Sequence, residues 1–128
     1  MAQNSLTIQV ISPERVLFSG EADYIKLPGT EGSFGVMKNH APMLASLDVG
    51  ILEVKKGSSV VKMVIDGGFV EVRANRVNVL ANGGASKDKI SKEEARKLLE
   101  NARNIADLEE KNLEIRKANT RIKLIESQ

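Results

Sequence analysis

Hydrophobic and polar side chains alternate with a period of two through much of the first two-thirds of the chain. Leu6, Ile8 and Val10 stand in phase, separated by Thr7 and Gln9, with Ile11 following. A strand sends successive side chains to opposite faces, so this phasing predicts a strand with one buried face. Ser12-Pro13-Glu14 interrupts it. Further strands are predicted at 16–18 running on to Gly20, then at 24–27, 34–37, 43–47, 51–55, 60–65, 69–73 and 77–81. Lys56-Gly57-Ser58, Gly67-Gly68 and Ala74-Asn75-Arg76 are the turn signals between the later ones. Many short strands at this spacing predict an antiparallel sandwich or barrel, and alternation alone does not choose between them.

The period changes after Asn82-Gly83-Gly84-Ala85. From there to Gln128 the chain has no Gly or Pro and is rich in Ala, Leu, Glu, Lys and Arg, which are strong helix formers. Ser91-Lys92-Glu93-Glu94 has the form of a capping box, in which the Ser91 hydroxyl accepts from the backbone N–H of Glu94. Ala95, Leu98, Leu99, Ala102, Ile105 and Ala106 follow three or four apart as one apolar stripe. Asp107-Leu108-Glu109-Glu110 is a second start signal, and Ile115, Ala118, Ile122 and Ile125 continue at heptad-like spacing. The pattern predicts two helices, 91–104 and 108–126, with a turn between. One continuous helix is the alternative, because the junction holds no breaker. The organisation is therefore a β domain over 1–85 and a helical hairpin over 86–128.

Composition narrows the function classes. The 128 residues are 41% hydrophobic and 28% charged, enough for a core with an ordinary surface. Three Phe, one Tyr and no Trp supply few stacking platforms for single-stranded nucleic acid, and a net charge of +2 is too small for an electrostatic nucleic-acid footprint. The absence of Cys excludes disulfides and thiolate chemistry. Residues 1–5 show no positive or apolar leader segment, so no signal peptide is expected. No apolar run approaches the ~20 residues that span a bilayer. Membrane association is expected only through a protein partner.

Candidate chemistry is sparse. His40 is the single histidine, too little for a catalytic triad or a two-His metal site. Gly29-Thr30-Glu31-Gly32-Ser33-Phe34-Gly35 is glycine-rich, but it lacks the Gly-Lys-Ser/Thr of a phosphate loop and leads into a strand. Glu14, Glu21, Asp23, Asp48, Glu53, Asp66 and Glu71 are scattered singly along the sequence. No catalytic residue, metal or cofactor is expected. Residues 1–85 hold eight basic and eight acidic side chains, against eleven and nine in 86–128. Within the latter, Arg116, Lys117, Arg121 and Lys123 gather near Glu114 and Glu126. They form either a solvated helix end, where the dipole favours cations, or a docking face for an acidic partner.

Several blocks carry a family resemblance. Ser12-Pro13-Glu14-Arg15-Val16-Leu17-Phe18-Ser19-Gly20 resembles the opening motif of the bacterial-type epsilon subunits of F-type ATP synthases. Leu27-Pro28-Gly29-Thr30-Glu31-Gly32-Ser33-Phe34-Gly35-Val36, His40-Ala41-Pro42-Met43-Leu44 and the stretch from Gly67 to Ala81 are similar to that family's later blocks, in order and at its spacing. The helical tail matches in length and layout more than in sequence.

The resemblance implies a ten-stranded antiparallel β-sandwich followed by a two-helix hairpin. It implies a non-catalytic rotor subunit of the central stalk, coupling ion-driven rotation of the c-subunit ring to ATP synthesis. It implies a place on the cytoplasmic face of a bacterial plasma membrane, held there through the complex. Gly29, Thr30, Glu31, Gly32 and Ser33 would face the c ring. Some relatives carry a carboxylate at the position of Ser33, and Ser33 cannot supply that charge. His40, Ala41, Pro42 and Met43 would lie near the gamma subunit. The basic face Arg116, Lys117, Arg121 and Lys123 would meet the alpha/beta head and block hydrolysis when the hairpin extends. Some relatives bind ATP through I/L-D-x-x-R-A, where this chain has Ser91 for Asp and Glu94 for Arg. The charge reversal implies little or no nucleotide binding. A different kind of reading is a free-standing β-sandwich binding module whose tail dimerises as a coiled coil.

Overall fold

The alternating segment at the start forms β1, Leu6–Ile11, in which Leu6, Ile8 and Val10 are buried and Gln9 is exposed. The computed structural model describes residues 5–127. Met1–Asn4, where no signal peptide is expected, and Gln128, the end of the expected hairpin, lie outside the described residues. After β1 come β2 (Val16–Ala22), β3 (Tyr24–Gly29), β4 (Gly32–Met37), β5 (Met43–Lys56), β6 (Ser59–Arg73), β7 (Arg76–Ala81) and β8 (Gly84–Ser86). A 3-10 turn at Lys87–Lys89 leads to α1 (Lys92–Ala102) and α2 (Leu108–Glu126).

The ten strands expected appear as eight among the described residues. β5 unites the predicted segments 43–47 and 51–55, and β6 unites 60–65 and 69–73. Their ladder runs from Met43↔Val72 to Lys56↔Ser59 in one unbroken register, with no pairing recorded only between Asp48 and Gly67. Hydrogen-bonded neighbours follow the order β2-β1-β7-β6-β5-β3-β4, with β8 beside β6. The β1–β7 pair is parallel and the other pairs are antiparallel.

One sheet lines both sides of the core because β5 and β6 change face midway. Met63 and Ile65 point into the core from the first half of β6, and Val70 and Val72 from the second. The core phase thus moves from odd to even residues. On β5 it moves likewise, from Leu47 to Leu52 and Val54. Gly67 and Gly68 make the switch possible at φ 91° and 143°, angles that side-chain-bearing residues rarely adopt. A Cβ on Gly68 would also stand 2.1 Å from the Leu80 carbonyl oxygen. Beyond this corner β6 changes partner. Gly68–Arg73 pairs with β7, whereas Met63–Ile65 pairs with β8. The result is a β-sandwich-type domain around one cluster drawn from β1 to β7.

Both predicted capping interactions form. Ser91 Oγ accepts from Glu94 N at 3.3 Å, and Asp107 Oδ1 from Glu110 N at 3.2 Å. Between the helices, Asn104 N and Ile105 N donate to carbonyls three residues back, which closes a tight turn. The single continuous helix is thereby excluded. α1 buries Ala95 and Ala102, and α2 buries Ala118 and Leu124. Ala106, expected in the stripe, is exposed in the turn. α2 lies against β5 and β6, and α1 packs on α2. Val64 is fully buried yet stands outside the sandwich core. It shares a strand face with Asp66, whose side chain meets α2, so α2 covers that face.

Candidate interaction surfaces

The glycine-rich segment forms the β3–β4 hairpin. Gly29 pairs with Gly32 across a turn at Thr30 and Glu31, and Pro28 pairs with Ser33. A strand follows, so no helix N-terminus is available to cradle a phosphate. Thr30 N donates to Ser46 O at 3.1 Å, and the two hydroxyl oxygens lie 3.0 Å apart, which braces the turn against β5. Thr30, Glu31, Gly32 and Ser33 are exposed. The hairpin borders a cleft of about 680 Å³ shared with β5 and with Thr120, Lys123 and Ser127 near the end of α2.

His40, Ala41 and Pro42 lie in the connection from β4 to β5, and Met43 is the first residue of β5. Asn39 sits at φ 67° and its N–H donates to Asn75 Oδ1 at 2.7 Å, tying this connection to the β6–β7 turn. His40 N donates to Met37 O at 3.2 Å, and its ring Nδ1 lies 2.7 Å from Ala41 O, so Nδ1–H is the donor there. Ala41 and Pro42 are exposed, and Met43 packs partly into the core.

Next to this connection lies an apolar band that the sequence reading missed. Phe69 pairs with Leu80, Leu80 with Ile11 and Ile11 with Val16, so four strands set these side chains side by side. Their neighbours Val70, Val79 and Val10 face the core, so the band faces outward. Phe69, Leu80 and Val16 are 56%, 54% and 55% exposed, and Leu44 on the adjoining strand is 75% exposed. The visible signal was apolar residues in both phases of a strand, as in Val79-Leu80-Ala81. Period-two reading assigns only one phase a purpose. A contiguous exposed apolar band marks an interaction surface.

The basic cluster on α2 is engaged within the chain. Arg121 makes two contacts with Asp66, Nη1–Oδ1 at 2.7 Å and Nη2–Oδ2 at 2.8 Å. Arg116 pairs with Asp48, and Lys117 with Glu114 at 2.9 Å. Lys123 is exposed beside the cleft. Asp48 and Asp66 looked isolated because their partners lie 68 and 55 residues away in sequence. Ser91 caps α1 and Glu94 stands exposed in its first turn. Among the described residues no group of three or more His, Cys, Asp or Glu is placed to hold a metal.

A β-sandwich-type domain with an outward-facing apolar band and a helical hairpin defines the class. The family model described as the beta-sandwich domain of the ATP synthase Delta/Epsilon chain matches residues 5–86. The ATP synthase epsilon chain of Leptospira interrogans serovar copenhageni is 43% identical over 122 residues, covering 95% of this chain and 96% of that one. That of Carboxydothermus hydrogenoformans is 39% identical over 100 residues, covering 78% and 75%. This chain belongs to the ATP synthase epsilon chain family. The fold also matches a chain in the OSCP/F1/c-ring structure of Euglena gracilis mitochondrial ATP synthase, with a TM-score of 0.76, 22% identity, and 91% and 79% of the two chains covered. A chain in the central stalk/c-ring structure of the Tetrahymena thermophila enzyme matches with a TM-score of 0.64, 16% identity, and 93% and 92% covered.

Proposed function

We propose that the chain is a non-catalytic central-stalk subunit of an F-type ATP synthase, coupling rotation of a c-subunit ring to the catalytic head through the gamma subunit. The observation that carries this reading is the apolar band of Phe69, Leu80, Ile11 and Val16, with Leu44 beside the 40–43 connection. A stalk subunit must grip a shaft, and burying such a band against gamma supplies area at about 25 cal/mol per Å². The hairpin turn at Thr30 to Ser33 is the ring-facing loop in this reading. Glu31 is the exposed carboxylate at its tip, two residues from Ser33. Residues 86–128 are the regulatory part, extending from the sandwich to engage the alpha/beta head through Arg116, Lys117, Arg121 and Lys123.

Among the described residues no helix is long and apolar enough to cross a membrane. The complex supplies the membrane attachment, on the cytoplasmic face of a bacterial plasma membrane. The free-standing dimerising module loses its basis, since Ala118 is buried and Ile115, Ile122 and Ile125 are part-buried within the single chain. Co-purification with gamma tests the proposal. Phe69→Glu is expected to weaken gamma binding about tenfold or more while leaving the far-UV circular dichroism unchanged. Undiminished binding by the folded variant, or no binding by the unaltered chain, defeats the reading.

A further inference from the structure

Among the described residues, the most enclosed ion pair joins α2 to the corner where β5 and β6 change face. Arg121 and Asp66 side chains are 17% and 9% exposed. Their two parallel contacts form the fork-to-carboxylate geometry that Lys cannot reproduce. Arg121 Nη1 also donates to Lys117 O at 3.2 Å, which fixes the guanidinium against its own helix. The backbone of Asp66 is anchored from the other side. Asp66 N donates to Gly83 O at 2.9 Å, and a Cβ on Gly83 would stand only 2.9 Å from Asp66 Oδ2. Gly83 therefore leaves the space in which the carboxylate sits. Five residues back along α2, Arg116 pairs with Asp48, whose Oδ1 also accepts from Val49 N at 2.8 Å. That outer pair is half exposed, at 50% and 47%, and so is screened by salt. Asp48 belongs to the unpaired step opposite Gly67 in the ladder, and Asp66 stands one residue beyond it. The same irregularity that turns the strands thus presents both carboxylates to α2.

We infer that Asp66 and Asp48 are an internal competitor for the cationic face of α2, so that an acidic partner segment can take Arg121 and Arg116 only when these pairs open. The inference rests on the reading of the hairpin as an element that leaves the sandwich. It adds which groups hold it there. It also makes docking and partner binding mutually exclusive, because both use the same guanidinium groups. A ligand moves a two-state element only by its differential affinity for the two states. The partner's carboxylates must therefore outcompete aspartates already in place.

The test uses the full chain without other subunits. Amide hydrogen exchange is followed in α2 and, as an internal control, in β5 and β6 around Leu52, Val54 and Val70. Asp66→Asn and Arg121→Gln are each expected to speed exchange in α2 roughly tenfold with the strand amides unchanged. Because either single change could loosen the helix for its own reasons, the reversed pair D66R/R121D is made as well. It is expected to recover at least part of the protection. A fluorescent octaglutamate peptide is then titrated at low salt. It is expected to bind the D48N/D66N chain about fivefold or more tighter than the unaltered one. Unchanged α2 exchange in both single variants overturns the inference, as does equal peptide binding by the two chains. Neither measurement contains gamma, so a failure of the stalk assignment would show in the co-purification and not here.

Discussion

Asp23 closes the β5–β6 turn from a neighbouring strand end. Its Oδ2 accepts from Gly57 N at 2.7 Å, its own N–H donates to Lys55 O at 2.7 Å, and Lys56 Nζ stands 3.6 Å from Oδ1. The Gly57 N–H lowers the Asp23 pKa, desolvation opposes it, and the Lys56 charge adds to the lowering. A carboxyl whose folded pKa is depressed adds stability above its unfolded value, about 3.9. That contribution is lost as pH falls through the folded value. Asp23→Asn keeps an acceptor for Gly57 but removes the charge. The urea midpoint of the unaltered chain is expected to exceed that of Asp23→Asn at pH 7. The gap should close as pH drops below about 4. A gap that stays constant across that range would remove the charge from the account. At this scale the sequence was legible where a side chain's role is local, as with the two helix caps. It was illegible where a partner is distant: nothing near Asp23, Asp48 or Asp66 in sequence announces Gly57, Arg116 or Arg121.

Elements were read well where one phase is apolar and turn residues bound it, as in β1, β3 and β7. β5 and β6 were each divided in two, β6 because Gly67-Gly68 looks like a break. In the folded chain the glycines let the strand invert its faces without ending its ladder. β8 went unread, since Gly84-Ala85-Ser86 has no alternation and is a strand only because β6 offers it an edge. Leu124, fully buried on α2, was missed beside the heptad-like set, while Ala106 fell into the turn. The helices also differ in what holds them. α1 buries only two alanines and leans on α2, so its start depends on its cap. Ser91→Ala is expected to cost about 1 kcal/mol of local helix stability. Faster amide exchange in the first turn of α1, with β5 and β6 unaffected, is the expected readout. Unaltered exchange there would mean that packing alone sets the α1 start.

For the whole molecule, the fold class and the order of its two parts were legible because helix and strand periods differ and change once, at 82–85. The way the parts meet was not, since it depends on a helix reaching back over strands far away in sequence. Removing residues 90–128 tests their separability while retaining β8. The shortened chain is expected to stay folded and to bind gamma. It should also take up an apolar fluorescent dye, because Val64 and half-buried Ile51 lose their cover. ATP hydrolysis by the assembled enzyme is expected to rise. Failure to fold would make the helices part of the core structure.

The β5–β6 ribbon has one more consequence. Its strands, fourteen and fifteen residues long, each follow a contour of about 45 Å from one layer to the other without a covalent or hydrogen-bonded gap longer than one step. A force applied to one layer therefore reaches the other along a continuous ladder loaded in shear. Many amide bonds resist it together, and none need yield first, as they would if the layers met only through greasy side-chain contacts.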